Sequence, residues 1–385
     1  VLTQTESELG RSLMTERGMQ WLYAHGGDPL ATLLRAEDED RGVLLRRIHE
    51  LGPLRRSRNG AWLTGDLLLG REILHDPRIT PGTPDDVPQG NDLRRRISVF
   101  GLPGPVWHRW RDRVGPGPDR DAVEQVCRQR LERIGDRFDL VTDLLRPVLL
   151  AVVADLHRVP AADRAAFDRC CLAAGPVLDA RLAPPRLTRA RELIDGLDGL
   201  AALYRRLVGG DDDLVTAATV SAPVGVEVAV DTAANAVRAL LDHPTAWQAL
   251  ADDPDLAERV VEETLRHDPP IRLESRIART DLETAGQRIS AGSEIVVNVE
   301  AANRDPRHGA DLARFDPFRT PAPAHLSLTG APYLDLVAPL VRVSTAAALR
   351  VLATRRPRPG PDGPVVRRLR APVTDAITRM PVRTP

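Results

Sequence analysis

Glu263-Thr264-Leu265-Arg266, Ala302-Asn303-Arg304-Asp305-Pro306 and Arg314-Phe315-Asp316-Pro317 decide how this chain is read, because they occur in this order and at this spacing. A Glu and an Arg three residues apart share one face of a helix and can pair. The helix that carries them is expected over about 254–268, opened by Asp253-Pro254 and closed by Asp268-Pro269-Pro270. Such a pair is common by chance, so the reading rests on the ordered set and on what surrounds it.

Upstream, residues 8–50 read as helical, with Leu44, Leu45, Ile48 and Leu51 at helical spacing and Gly52-Pro53 as the stop. Strands are expected at 54–57 and 61–64 around Arg58-Asn59-Gly60, since Asn-Gly is a strong hairpin signal. A helix follows over about 66–75, then loops at 81–93 and 115–118. Further helices are expected at 121–135, 140–157, 161–175 and 187–208. The segment 213–243 is dense in Val and Ala on nearly every face, as in a buried central helix, and Pro223 predicts a kink or a late start. Short strands near 276–279 and 295–299 are placed around Gly286. A helix is expected over 338–354, and strands and turns from Val365 on. No internal repeat or long linker divides the chain. A single domain over 1–385 is expected, with 1–30 as an N-terminal helical extension.

The 385 residues carry 53 basic and 54 acidic side chains, a balance that argues against a general nucleic-acid binder. Every basic residue is Arg, as a GC-rich coding sequence of actinobacterial type produces. Without Lys there is no Walker-type phosphate loop and no Schiff-base chemistry. No run of 18 apolar residues marks a membrane span, and the N-terminus lacks a signal-peptide core. Cys127, Cys170 and Cys171 form no disulfide framework, which points to the cytoplasm. The histidines show no metal-ligand spacing, and no Gly-x-Ser-x-Gly elbow exists. The Arg94-Arg95-Arg96 trio reads as a solvated face. Trp21 and Tyr23 are either anchors for a partner or staples holding the N-terminal helix to the body.

The ordered motifs, the early hairpin, the Ala234-to-Pro244 segment and the Pro-Val-Arg near Pro381 together resemble the cytochrome P-450 family over roughly residues 30–385. The resemblance implies a mainly α fold with small β-sheets. It also implies a buried triad of Glu263, Arg266 and Arg314, in which a carboxylate between guanidiniums makes charge-assisted bonds. That family holds haem iron through a Cys thiolate in a loop before the last long helix. Here the matching stretch is His325–Leu340, and the register set by Ala338-Pro339-Leu340 and Arg342 puts Asp335 at the cysteine position. Val337 replaces a glycine of that loop, and Leu328 and Thr329 replace its Phe and first Gly. In the central helix Gly225 and Glu227 stay in register, but Val228 and Ala229 occupy the oxygen-activating threonine positions. Pro105-Val106-Trp107-His108-Arg109 falls where a haem-propionate His and Arg usually lie, with Trp107 at the His position unless His108 serves.

The expectation is therefore a protein with no haem and no other cofactor, and no catalytic residue. A small group of P-450 homologues lacks this cysteine and activates or stabilises glycosyltransferases that attach deoxyaminosugars to macrolide and anthracycline antibiotics. The chain is similar to that group, also through Gly10-Arg11, Arg17-Gly18, Trp21, Tyr23 and Gly27-Asp28-Pro29 near its start and Gly363–Arg368 near its end. The implied partner is a glycosyltransferase, with no nucleic acid and no membrane involved. The vacated haem pocket is expected to be filled by larger side chains and a collapsed central helix, because packed proteins do not keep large voids. The alternative is a haem-independent enzyme or a small-molecule binder using the remodelled pocket.

Overall fold

The apolar segment expected at the centre is one helix, Asp212–Asp242, capped by Asp211, whose carboxylate accepts the Leu214 N–H at 3.1 Å. From Ala217 to Leu240 every residue but Arg238 is buried. The helix begins well before Pro223 and runs through it, so the late start does not occur. This computed structural model describes residues 4–37, 40–87, 92–356 and 359–384.

Other helices pack around this axis. The last helix, Pro332–Arg355, lies along it, and Gly104–Val114, Arg146–Leu156, Arg164–Ala174 and Leu187–Val208 also touch it. Trp110 donates from its indole to Ser221 Oγ at 2.9 Å, fastening Gly104–Val114 to the centre. His157 and Tyr204 share a buried hydrogen bond at 2.5 Å, and burial pushes His157 down to about 3, so its ring is neutral. One apolar cluster extends from Leu9 and Leu13 of the first helix to Val382. Asp212–Asp242 and Pro332–Arg355 are long and apolar enough to cross a membrane, but most of each is buried inside the protein.

A five-stranded sheet flanks the helices. Its order is Arg55–Arg56, Trp62–Thr64, Glu294–Asn298, Leu273–Ala278, Ile79–Thr80. Trp62–Thr64 pairs in parallel with Glu294–Asn298, Leu63 opposite Val296, and the other neighbours are antiparallel. The early hairpin forms as expected, with Gly60 at φ +95° in its turn. The strands expected on either side of Gly286 pair with each other at 273–278 and 294–298. Gly286 itself turns a smaller hairpin between them, Leu282–Thr284 with Gln287–Ile289.

Several boundaries differ from the sequence reading. Residues 8–50 form three helices, Glu6–His25, Pro29–Arg35 and Arg41–Glu50. Gly27, at φ +80°, ends the first. Asp28 then caps Ala31 at 2.9 Å, and Pro29 occupies the first helical position of the second. The segment 104–114, to which the sequence assigns no element, is helical from Gly104-Pro105 onward, and Asp92–Ile97 makes a helix at the edge of the expected 81–93 loop. Residues 88–91 of that loop lie outside the described residues. The last helix starts at Pro332, six residues early, again with proline in its first turn. That early start decides the geometry of position 335.

Candidate functional site

The pair that opened the reading is buried and bonded. Glu263 takes two bonds from Arg266, at 2.7 and 2.8 Å, and a third from the Asp316 backbone N–H at 2.7 Å. Arg266 spends its other N–H groups on the carbonyls of Asn303, Leu312 and Arg314. The expected triad needs one correction. The Arg314 guanidinium is 62% exposed and faces Asp311 and Asp316, so only its backbone carbonyl takes part. Three donors already saturate the side of Glu263 that a second guanidinium would need.

A second buried charge network, unmarked by any local motif, centres on Asp268. Its carboxylate meets Arg238 at 2.6 Å, Arg272 at 3.0 Å and Arg41 at 3.3 Å. Arg41 continues to Glu300 at 2.7 Å and to Asp375 at 3.3 Å. Burial alone would raise Asp268, but the surrounding guanidiniums hold it well below the usual carboxylate range.

At the position matching the thiolate, Asp335 lies in the first turn of the last helix with its side chain exposed. Two residues earlier the buried Tyr333 donates to Glu274 at 3.0 Å and packs against Phe100 and Trp107, with ring centroids at 4.9 and 6.0 Å. Trp107 is buried, and His108 is exposed on the outer face of the same helix. The three cysteines are free, and none offers a thiolate. Burial pushes Cys127 up to about 12 and Cys171 well above the usual thiol value.

A haem held from position 335 and served from positions 228 and 229 would have to lie between the last and central helices. Those helices touch: a methyl group added to Gly225 would stand 2.8 Å from Leu340 Cδ2. Val228, Ala229 and Val337 are buried in the same core cluster. The central helix stays regular and uncollapsed. The donors present do not fit haem: Asp335 is exposed and the three cysteines lie in other helices.

Glu227 is not a solvent-linked acid. It bonds Arg146 and Arg368, and although burial would raise its carboxyl, the two guanidiniums hold it at about 2. Asp231, one turn on, is buried with no partner for either carboxylate oxygen. Burial first, and the charge of Glu227 second, raise it well above the usual range, so it keeps its proton. Nearby, Asp179 accepts from Val373 N–H, Thr374 N–H and Thr374 Oγ1 at 2.7–3.0 Å. Sequence spacing gave no hint of this cluster, because its cations come from positions 146 and 368.

Asp66, Asp305 and His308 bring three metal-capable side chains together, a grouping that histidine spacing did not reveal. Arg307 already bridges the two carboxylates at 2.9 and 2.6 Å, occupying the place of a cation. The Arg94–Arg96 trio is used internally. Arg94 donates to the Arg181 carbonyl at 2.8 Å, and Arg96 pairs with Asp198. Trp21 is exposed and stacked on His25 at 5.4 Å, whereas Tyr23 is half-buried.

Comparison with known proteins places this geometry. The cytochrome P450 family model matches residues 235–320. Protein AknT of Streptomyces galilaeus is 38% identical, over 99% of this chain and 97% of its own. The cytochrome P450 family protein EryCII of Saccharopolyspora erythraea is 33% identical, over 99% of both chains. The crystal structure of ligand-free Mycobacterium smegmatis CYP164A2 superposes with a TM-score of 0.75 at 24% identity, covering 92% of this chain and 99% of its own, which supports the fold alone. With the ordered motifs, the helical core and two full-length relatives in agreement, the chain belongs to the cytochrome P450 family, in the auxiliary-protein group to which its sequence points.

Proposed function

We propose that this protein is a non-catalytic auxiliary subunit that binds and activates or stabilises a glycosyltransferase, one that transfers a nucleotide-linked deoxyaminosugar in antibiotic biosynthesis. The observation that carries the reading is the exposed Asp335 at the position the sequence register gives to the thiolate, in a last helix that contains no cysteine. Full-length likeness to AknT and EryCII supports the same group. A partner that binds only the folded, active transferase raises its active fraction by mass action and needs surface rather than a catalytic group. On this reading both proteins act in the cytoplasm.

The test is to assay the transferase encoded beside this chain alone, with the chain, and with the chain heat-denatured. A rise in glycosyl transfer or in soluble transferase with the native chain only is expected. Unchanged rate and yield overturns the reading, as does turnover of the sugar acceptor by this chain without any transferase.

A further inference from the structure

Two adjoining clefts open on the side of the protein where the first helix meets the chain around 183–186 and 368–370. The larger holds about 550 Å³, and the two share Ala183 and Arg370. Seven arginines and three acids line them. Glu227, lying behind, engages Arg146 and Arg368, while Glu37 lies 3.3 Å from Arg35 and Glu192 pairs with Arg189, which leaves Arg17, Arg186 and Arg370 as the cations to account for among the described residues. Arg186 is exposed and makes no ion pair among the described residues. Among the described residues Arg370 reaches one carboxylate, Glu37, at 3.7 Å. Arg17 gives its N–H groups to the Pro184 and Pro185 carbonyls, and its pKa is lowered first by burial and then by the charges of Arg370 and Arg186. Arg17, Arg186 and Arg370 lie close enough to repel one another and share a single carboxylate, Glu37, among the described residues.

Apolar side chains stand at the same mouth. Leu369, 82% exposed, and the exposed Leu172 line the larger cleft, and the exposed Trp21 of the first helix lines the smaller one with Arg370. Apolar residues rimmed by arginine are the composition of a protein interface, in which Trp and Arg carry much of the energy. A small anion would need the cations and would leave Leu369, Leu172 and Trp21 in water. A protein surface covers both.

We propose that these clefts are the docking surface for the glycosyltransferase, and that they receive an acidic segment of it that also carries apolar side chains. This rests on the proposed function and adds where the partner sits and what chemistry it presents. Arginines at the rim would steer the acidic partner in, making the association rate fall with salt. Leu369 and Trp21 would supply the buried centre.

The experiment measures binding of the purified transferase to the full chain and to Arg186→Glu, Leu369→Asp and Arg288→Glu variants, each checked for an unchanged thermal transition. Arg288 is a highly exposed arginine on the Leu282–Ile289 hairpin, outside both clefts, and serves as the control. Arg186→Glu and Leu369→Asp are each expected to weaken binding by about tenfold or more, with Arg288→Glu unchanged. Binding of both cleft variants within about twofold of the unaltered chain, itself binding well, overturns the surface and leaves the function standing. No binding by the unaltered chain overturns both. Sedimentation of the chain alone showing a dimer that Leu369→Asp dissolves assigns the face to self-association and overturns the proposal as well.

Discussion

Glu227→Gln removes the one carboxylate that serves both Arg146 and Arg368, whose side chains are largely out of water. A carboxyl moved from 4.5 to about 2 contributes about 3 kcal/mol to folding, at about 1.4 kcal/mol per tenfold change in proton affinity. The cost of breaking a buried pair, about 3–5 kcal/mol, agrees with it. Because the folded pKa is depressed, this stability is present above about 4.5 and is lost as pH falls towards about 2. Urea unfolding followed by circular dichroism at pH about 7 and about 3 measures it. The variant is expected to be less stable by about 3 kcal/mol at the higher pH and by less than half of that at the lower. Asp231→Asn is the companion: the native side chain is already neutral, so a loss of no more than about 1 kcal/mol is expected at pH about 7. A Glu227→Gln deficit below about 1 kcal/mol, or one constant with pH, refutes the assignment of the charge to Glu227.

Three further outcomes follow from the packing. Gly225→Ala places a methyl 2.8 Å from Leu340 and is expected to cost about 1–3 kcal/mol in denaturant unfolding, part of which Leu340→Ala in the same chain restores. Glu263→Gln is expected to cost about 3–5 kcal/mol, while Arg314→Ala, removing only an exposed side chain, costs no more than about 0.5 kcal/mol. Asp335→Cys, incubated with haem, reduced and treated with carbon monoxide, is expected to show no Soret band of a thiolate-bound complex, because position 335 faces solvent in a helical turn. A band there would mean that the contact of Leu340 on Gly225 opens.

The helices that carry strong periodicity were legible residue for residue: 187–208 forms as read, and the central helix differs by one residue at each end. The last helix was misjudged because Pro332 was taken as part of a loop when it was a first-turn proline. Asp335 could be placed by register, but its exposure depended on that helix start. Arg314 was wrong for a related reason. A motif gives the residue, while the backbone N–H of Asp316 decides whether a guanidinium has anything left to bind. The clusters around Glu227 and Asp268 were invisible because each joins segments more than a hundred residues apart, and no local spacing records such a meeting.

The Asp268 network also sets an order of events in folding. Its members span Arg41 to Asp375, so it is complete only when those distant segments have met. Arg238 and Arg272 can meet Asp268 early, but Arg41 waits for carboxylates more than two hundred residues further on. Contacts so distant in sequence favour slow final assembly. Synthesis alongside a large binding partner would shelter apolar surfaces during the interval before those segments meet.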